Sequence, residues 1–157
     1  MTFKIFTPIA FLIILNSCSS PYESIDDEDS GGMSSITGSY RSHNMGKDCM
    51  SCHKPGGGEA PVWKVAGTVY NEAQTTINPT ATVKLYTGPG GTGTLKYTLQ
   101  VDAKGNFYTG ENIDFSGDLY PSVIGSTSTY SMSSPITTGA CNSCHDGGAS
   151  TDRIWTN

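Results

Sequence analysis

Cysteine and histidine are the residue types of this sequence with the greatest chemical capability, and most of them fall into two copies of one short pattern. In each copy, two cysteines are separated by two residues and a histidine directly follows the second cysteine. The first copy contains Cys49, Cys52 and His53, and the second contains Cys141, Cys144 and His145. Because the chain has only 5 cysteines and 3 histidines, the repeat uses most of both residue types, and it is too specific to be accidental.

The string C-x-x-C-H is the attachment motif of a c-type haem. Its two thiols form thioethers with the vinyl groups of the porphyrin, and its histidine becomes the proximal ligand of the iron. The sequence therefore predicts two covalently bound c-type haems. Their attachment residues are Cys49, Cys52, Cys141 and Cys144, and their proximal iron ligands are His53 and His145.

Other uses of the four cysteines stay open at this point. Two C-x-x-C pairs can bind one zinc ion if a β fold brings them together. Each pair can also form a redox dithiol or a structural disulfide, which an oxidising compartment outside the cytoplasm favours. None of these uses requires a histidine after the second cysteine, so the haem interpretation is preferred.

Two irons also need distal ligands, and the sequence offers one candidate for each. His43, the remaining histidine, lies six residues before Cys49, and Gly46 permits a turn between them. From this position His43 could serve either haem. Met132 lies nine residues before Cys141 and is the candidate for the second iron. The alternatives are that His43 is solvated, that Met132 only packs on the porphyrin, or that one distal position is open.

The chain between the two motifs contains short runs of alternating β-branched and aromatic residues, separated by turn residues such as those of the segment 88–91. Such a pattern is typical of strands in a sandwich. The predicted strands cover 62–70, 80–87, 94–101, 106–109, 119–125 and 128–132. We therefore predict an all-β fold, with a small antiparallel β-sandwich over residues 61–132. Loop-rich haem-binding segments at 40–60 and 133–157 flank it.

The alternation also predicts which side chains line the core, namely Val83, Leu85, Leu95, Leu99, Val101 and Phe107. Four further aromatic residues are candidates for packing on haem, with ordinary core or edge positions as the alternative: Tyr40, Trp63, Tyr130 and Trp155.

One motif precedes the first strand and the other follows the last. Because the ends of a domain often lie close together, we predict that the two haems are neighbours at one end of the sandwich.

The start of the chain predicts export and anchoring. Residues 1–17 have a basic start and a short apolar stretch, which is typical of a secretory signal and too short to span a membrane. The segment ending in Cys18 resembles the lipobox of bacterial lipoproteins, which implies lipidation of Cys18; the alternative is an ordinary signal peptide. Residues 18–39 are rich in Ser, Gly and acids and predict a tether. The resulting localisation is the outer membrane of a Gram-negative-type bacterium, on its periplasmic face or at the cell surface.

Two resemblances extend these predictions. The segments around the two motifs resemble those of small dihaem c-type cytochromes, which implies electron transfer by the bound haems. The order Val-Ala-Gly-Thr-Val, Ala-Thr-Val-Lys-Leu and Val-Asp-Ala-Lys-Gly-Asn-Phe resembles carboxypeptidase regulatory-like (prealbumin-like) β-sandwich domains. That second resemblance implies a fold and no active site.

Charge and motif content exclude other classes of function. A formal net charge of −5 at pH 7 argues against binding nucleic acid, and no motif for a hydrolytic or phosphate-binding site is present. We predict an electron-transfer protein rather than an enzyme, with other redox proteins or cytochromes and a membrane as its partners. The alternatives are a haem enzyme with an open distal site, or a binding module stapled by zinc or disulfides.

Overall fold

The alternating runs form strands because β-branched and aromatic side chains suit a pleated, half-buried surface. The computed structural model describes residues 33–148 and 151–157. Its strands are β1 (Val65–Tyr70), β2 (Thr82–Gly88), β3 (Thr92–Gln100), β4 (Asn106–Thr109), β5 (Tyr120–Ile124), β6 (Thr129–Ser131), β7 (Gly139–Ala140) and β8 (Ile154–Trp155). Helical structure in these residues is limited to the short helix α1 (Cys141–Cys144) and two 3-10 turns at Cys49–Ser51 and Pro89–Gly91. None of these helices has the length and apolar character needed to cross a membrane.

The strands form two sheets that pack face to face. Sheet 1 has the order β4-β1-β7, with β8 also paired to β1, and sheet 2 has the order β3-β2-β5-β6. All neighbours in sheet 2 are antiparallel, as are β1 and β4, whereas β7 and β8 run parallel to β1. The predicted all-β sandwich is thus confirmed. The segment 133–157, predicted to bind haem, also contributes β7 and β8 to sheet 1.

The core between the sheets contains most of the predicted residues. Five of the six are buried and belong to one cluster, namely Val83, Leu85, Leu99, Val101 and Phe107. Their burial follows the period of two that places alternate side chains of a strand on one face.

The prediction for Leu95 is wrong: 43% of this residue is exposed. Leu85 pairs with Tyr97, but the next residue, Tyr86, pairs with Leu95, so the register shifts by one residue at Lys96. A one-residue bulge moves all following side chains to the opposite face. Leu95 therefore lies on the outer face of sheet 2, beside Tyr86.

β1 is the strand on which the rest of the molecule is assembled, and all 6 of its residues are buried. Val65 and Val69 face the core between the sheets. Thr68 faces the other way, where its Oγ1 accepts a hydrogen bond of 2.9 Å from the backbone N–H of Gly46. The segment before the first strand therefore covers the outer face of sheet 1, and β1 is apolar along most of its length because both of its faces are covered.

The predicted signal peptide, the lipidation site Cys18 and most of the tether lie outside the described residues. The described end of the tether contacts the sandwich. Ser34 forms a β-bridge with Thr109, and the backbone N–H of the buried Ser35 donates to the carbonyl of Tyr108 at 2.9 Å. Ser34 and Ser35 therefore lie along the edge of β4 that is not paired with β1.

Candidate functional site

The first C-x-x-C-H motif folds as a single tight turn. Its 3-10 helix is capped by Asp48, whose carboxylate accepts a hydrogen bond of 3.1 Å from the backbone N–H of Met50. The backbone N–H of His53 donates to the carbonyl of Cys49 at 3.0 Å. This bond spans four residues, as in an α-helix, so one turn of backbone joins the first cysteine to the histidine.

The second motif has the same local geometry, although it is built on α1. The backbone N–H of His145 donates to the carbonyl of Cys141 at 2.9 Å. The two C-x-x-C-H turns therefore have matching backbone arrangements at two independent places in the chain.

Both histidines are also held in the same way through their rings. The Nδ1 atom of His53 lies 2.8 Å from the carbonyl oxygen of Pro61, and Nδ1 of His145 lies 2.8 Å from the carbonyl oxygen of Asp152. A carbonyl oxygen can only accept a hydrogen bond, so Nδ1 carries a proton, and in the neutral imidazole Nε2 then has the lone pair. Such a partner fixes the tautomer and orientation of a metal-binding histidine.

The surroundings of the two imidazoles differ. His53 is buried, and desolvation lowers its pKa, with a further lowering from the nearby His43, while the hydrogen bond to Pro61 acts in the opposite direction. His53 is therefore held in the neutral form that binds metals. His145 is only half-buried.

The structure places the candidate distal ligand His43 beside the first motif. The ring centroids of His43 and His53 lie 5.8 Å apart, with a tilt of 36° between the ring planes. Two bonds from an intervening metal ion to ring nitrogens, at about 2 Å each, would span most of this separation. Of the two haem positions that the sequence left open for His43, this arrangement favours the first.

Met132 directly follows β6 of sheet 2, whereas both turns contact β1 in sheet 1. It is half-buried, and its backbone N–H donates to the carbonyl of Pro121 at 2.9 Å. Its role as a distal ligand stays a prediction.

The two C-x-x-C-H turns are neighbours, as expected from their positions at the ends of the sandwich. Burial raises the pKa of the Cys141 thiol to about 12, and the charge of nearby Cys49 contributes to this increase. Gly67 of β1 is where the second turn packs against the core: a Cβ on Gly67 would lie 3.0 Å from the Cβ of Cys141 and 2.5 Å from the ring of Phe107. Only glycine allows this close approach.

A buried hydrogen-bond network connects the turns. Asn142, between the two cysteines of the second motif, accepts from the backbone N–H of Thr68 at 3.0 Å and donates through Nδ2 to the carbonyl of Lys47 at 2.9 Å. The hydroxyl of Thr68 donates to Asn106 at 2.6 Å, and the amide of Asn106 donates to the hydroxyl of Ser42 at 2.9 Å. The second motif is thus bonded directly to the segment that contains the first.

Sequence reasoning missed this network and the two carbonyl partners of the histidines. Asn142 occupies a position of the motif that no spacing rule distinguishes from its neighbour Ser143. Pro61 and Asp152 act through backbone oxygens, which every residue possesses.

The thiols test the alternatives to haem. Cys49, Cys141 and Cys144 are free, while Cys52 is disulfide-bonded, so neither C-x-x-C pair forms an internal disulfide. Within residues 33–148 and 151–157, no group of three or more His, Cys, Asp or Glu side chains is placed to bind a metal ion. Paired cysteines on one turn beside a histidine with a free Nε2 form a donor set that fits a covalent haem.

Comparisons with known proteins assign no family to this chain. The sequence matches no protein-family model, no curated protein and no solved structure. What the fold and the site define is an all-β sandwich that carries two adjacent C-x-x-C-H turns on one central strand.

Proposed function

We propose that this chain is a dihaem c-type cytochrome that carries electrons outside the cytoplasm. One shared feature carries the proposal: each motif histidine has its Nδ1 held at 2.8 Å by a backbone carbonyl, with Nε2 free to bind iron. Different loops supply these carbonyls, Pro61 before β1 and Asp152 before β8. A hydrogen bond that orients an imidazole in this way is typical of a metal ligand and is not needed by a zinc-binding or disulfide-bonded C-x-x-C pair.

The four motif cysteines would form the covalent attachment. Each thiol adds across one vinyl group: a carbon–sulfur bond forms, the thiol proton moves to the other vinyl carbon, and no group leaves. Cys52 is disulfide-bonded in the structure, so a thiol reductant would first have to donate two electrons and two protons, which release both sulfurs of that disulfide as thiols.

When bound, each haem supplies a one-electron ferric/ferrous couple that other redox proteins fill and empty. His53 and His145 would be the proximal ligands, and His43, whose ring centroid lies 5.8 Å from that of His53, would be the distal ligand of the first haem. The Asn142–Lys47 hydrogen bond, at 2.9 Å, keeps the two attachment turns together, which supports electron exchange between them. Met132 is the proposed distal ligand at the second site, where methionine would raise the reduction potential relative to histidine.

The proposed setting is an exported lipoprotein. Lipidation of Cys18 would anchor the chain to the outer membrane, and the part of residues 18–39 that precedes the bridge between Ser34 and Thr109 would tether the folded part within reach of its redox partners. Other cytochromes are the expected partners. The acidic charge of −5 argues against a role with nucleic acid.

Intact mass spectrometry and a pyridine haemochrome spectrum test the proposal on the full chain matured in an exporting host. We expect two covalent haems per chain. The double variants C49S/C52S and C141S/C144S should each retain one haem, because the motifs have separate turns. A haem-free mass in the wild type, with zinc or disulfides on the same cysteines, would overturn the proposal.

Carbon monoxide binding tests the distal ligand. In the ferrous protein, His43→Ala should allow rapid carbon monoxide binding at one haem that the wild type binds slowly. Rapid binding by the wild type itself would instead favour a haem enzyme with an open site.

A further inference from the structure

Trp63 lies directly against the imidazole of His53. The two rings are parallel, with centroids 3.4 Å apart and an interplanar angle of 3°. The backbone N–H of Trp63 also donates to the carbonyl of His53 at 3.1 Å. Tyr108 of β4 stacks in turn on Trp63, at 4.2 Å and 16°. The indole is therefore held against His53 by a residue of the sheet.

Apart from this stack, the burial of the Trp63 side chain is unfavourable in free energy. Trp63 is only 8% exposed, yet its Nε1 has no hydrogen-bond partner. A buried tryptophan N–H usually finds an acceptor, and leaving a buried donor unpaired costs about 1–3 kcal/mol. The ring contacts with His53 and Tyr108 are the interactions that account for the placement.

Stacking and metal binding act on different parts of the imidazole. A metal ion bound to Nε2 lies in the plane of the ring, so the indole on the ring face leaves Nε2 accessible. The hydrogen bond from Nδ1 to Pro61, at 2.8 Å, restrains the ring within its plane. The stack restrains rotation of that plane about the Cβ–Cγ bond. Together, these two restraints define the orientation of the His53 ring.

His145 has the first restraint without the second. Its Nδ1 is bonded to the carbonyl of Asp152 at 2.8 Å. The ring contacts found in the described part of the chain involve His43, His53, Trp63, Tyr108, Tyr130 and Trp155, and His145 takes part in none of them.

We propose that Trp63 is a positioning residue that sets the imidazole plane of His53 and thereby makes the first haem site electronically distinct from the second. This inference rests on the proposed function. The orientation of an axial imidazole and the contacts around it are among the features by which a protein tunes a bound haem.

Electron paramagnetic resonance of the oxidised holoprotein tests the proposal, together with a redox titration that follows both haems. In Trp63→Leu, the signal and the potential of one haem should shift while those of the other stay unchanged. The C141S/C144S variant, which retains only the first haem, identifies which signal belongs to His53. Trp63→Phe keeps an aromatic face and should restore most of the wild-type signal. Leu95→Ala, which removes an exposed apolar side chain on the outer face of sheet 2, is the control and should change neither signal.

Two results would overturn the inference: unchanged signals in Trp63→Leu with both haems attached, or equal shifts in both haems, which would indicate a general structural change. If Trp63→Leu does not mature, Trp63→Met decides, because it also removes the flat ring that stacks on His53 but keeps more apolar volume, and only a change confined to the first haem agrees with a positioning role. A wild-type chain without haem would instead refute the proposed function, so the two failures are distinguishable.

Discussion

Replacement of Asn142 by alanine tests whether the two motifs depend on one buried amide. Asn142 is 2% exposed and connects three places: the backbone N–H of Thr68, the hydroxyl of Thr68 and the carbonyl of Lys47, at 3.0, 3.0 and 2.9 Å. Alanine removes all of these hydrogen bonds. It leaves the N–H of Thr68 without its acceptor on a strand that is buried throughout.

The expected loss follows from this geometry. A hydrogen bond contributes about 1 kcal/mol net, and a buried donor left unpaired costs about 1–3 kcal/mol. The carbonyl of Lys47 is less costly to leave, because Lys47 is exposed and water can replace the amide. We expect Asn142→Ala to lower the free energy of unfolding by about 3 kcal/mol, which for a domain of this size lowers the melting temperature by about 10 °C.

Urea unfolding followed by circular dichroism measures this change on the haem-loaded protein. Ser143→Ala is the matched control, because Ser143 is the adjacent motif residue and is exposed, and its hydroxyl contacts only the carbonyl of Ala140, at 2.6 Å, and the sulfur of Cys144, at 3.9 Å, within its own turn. The control should lose less than about 1 kcal/mol. If Asn142→Ala loses no more than this control, the reasoning that the amide joins the two turns is wrong.

Two further predictions concern the packing and the thiols of the second motif. Gly67→Ala would place a Cβ 2.5 Å from the ring of Phe107, so we expect a loss of about 3 kcal/mol in the free energy of unfolding. The control is Gly117→Ala, which has no atom within 4 Å of the new Cβ and should stay within about 0.5 kcal/mol of the wild type. Equal losses in the two variants would contradict the packing argument. In protein made without haem attachment, iodoacetamide at about pH 8 should modify the exposed Cys144 much faster than Cys141. The reason is that burial raises the pKa of the Cys141 thiol to about 12, so that about one Cys141 thiol in ten thousand is ionised at this pH. Peptide mass spectrometry measures both rates, and equal labelling would show that Cys141 is accessible.

The local features of this protein were readable from the sequence. A five-residue motif folds within one turn of backbone, so the spacing of Cys49, Cys52 and His53 already predicts that they lie together. The strands were also readable, since the side-chain period of a strand is two residues. Burial of Leu85, Leu99 and Phe107 confirms the pattern. Leu95 shows its limit, because a bulge between paired strands reverses the faces without leaving a mark in either run.

The relations between distant parts of the chain were decided only by the tertiary structure. The hydrogen bond between Asn142 and Lys47 joins residues 95 positions apart. β7 and β8 pair with the two ends of β1 and leave the N–H of Thr68 between them without a backbone partner. The side chain of Asn142 accepts from this N–H, which also brings its amide to the carbonyl of Lys47. The partners that orient His53 and His145 are backbone oxygens, which carry no residue-type signal. The sequence by itself therefore determined which groups are the proposed cofactor ligands, while the packing of both motifs on one strand determined how those groups are oriented and how close they lie.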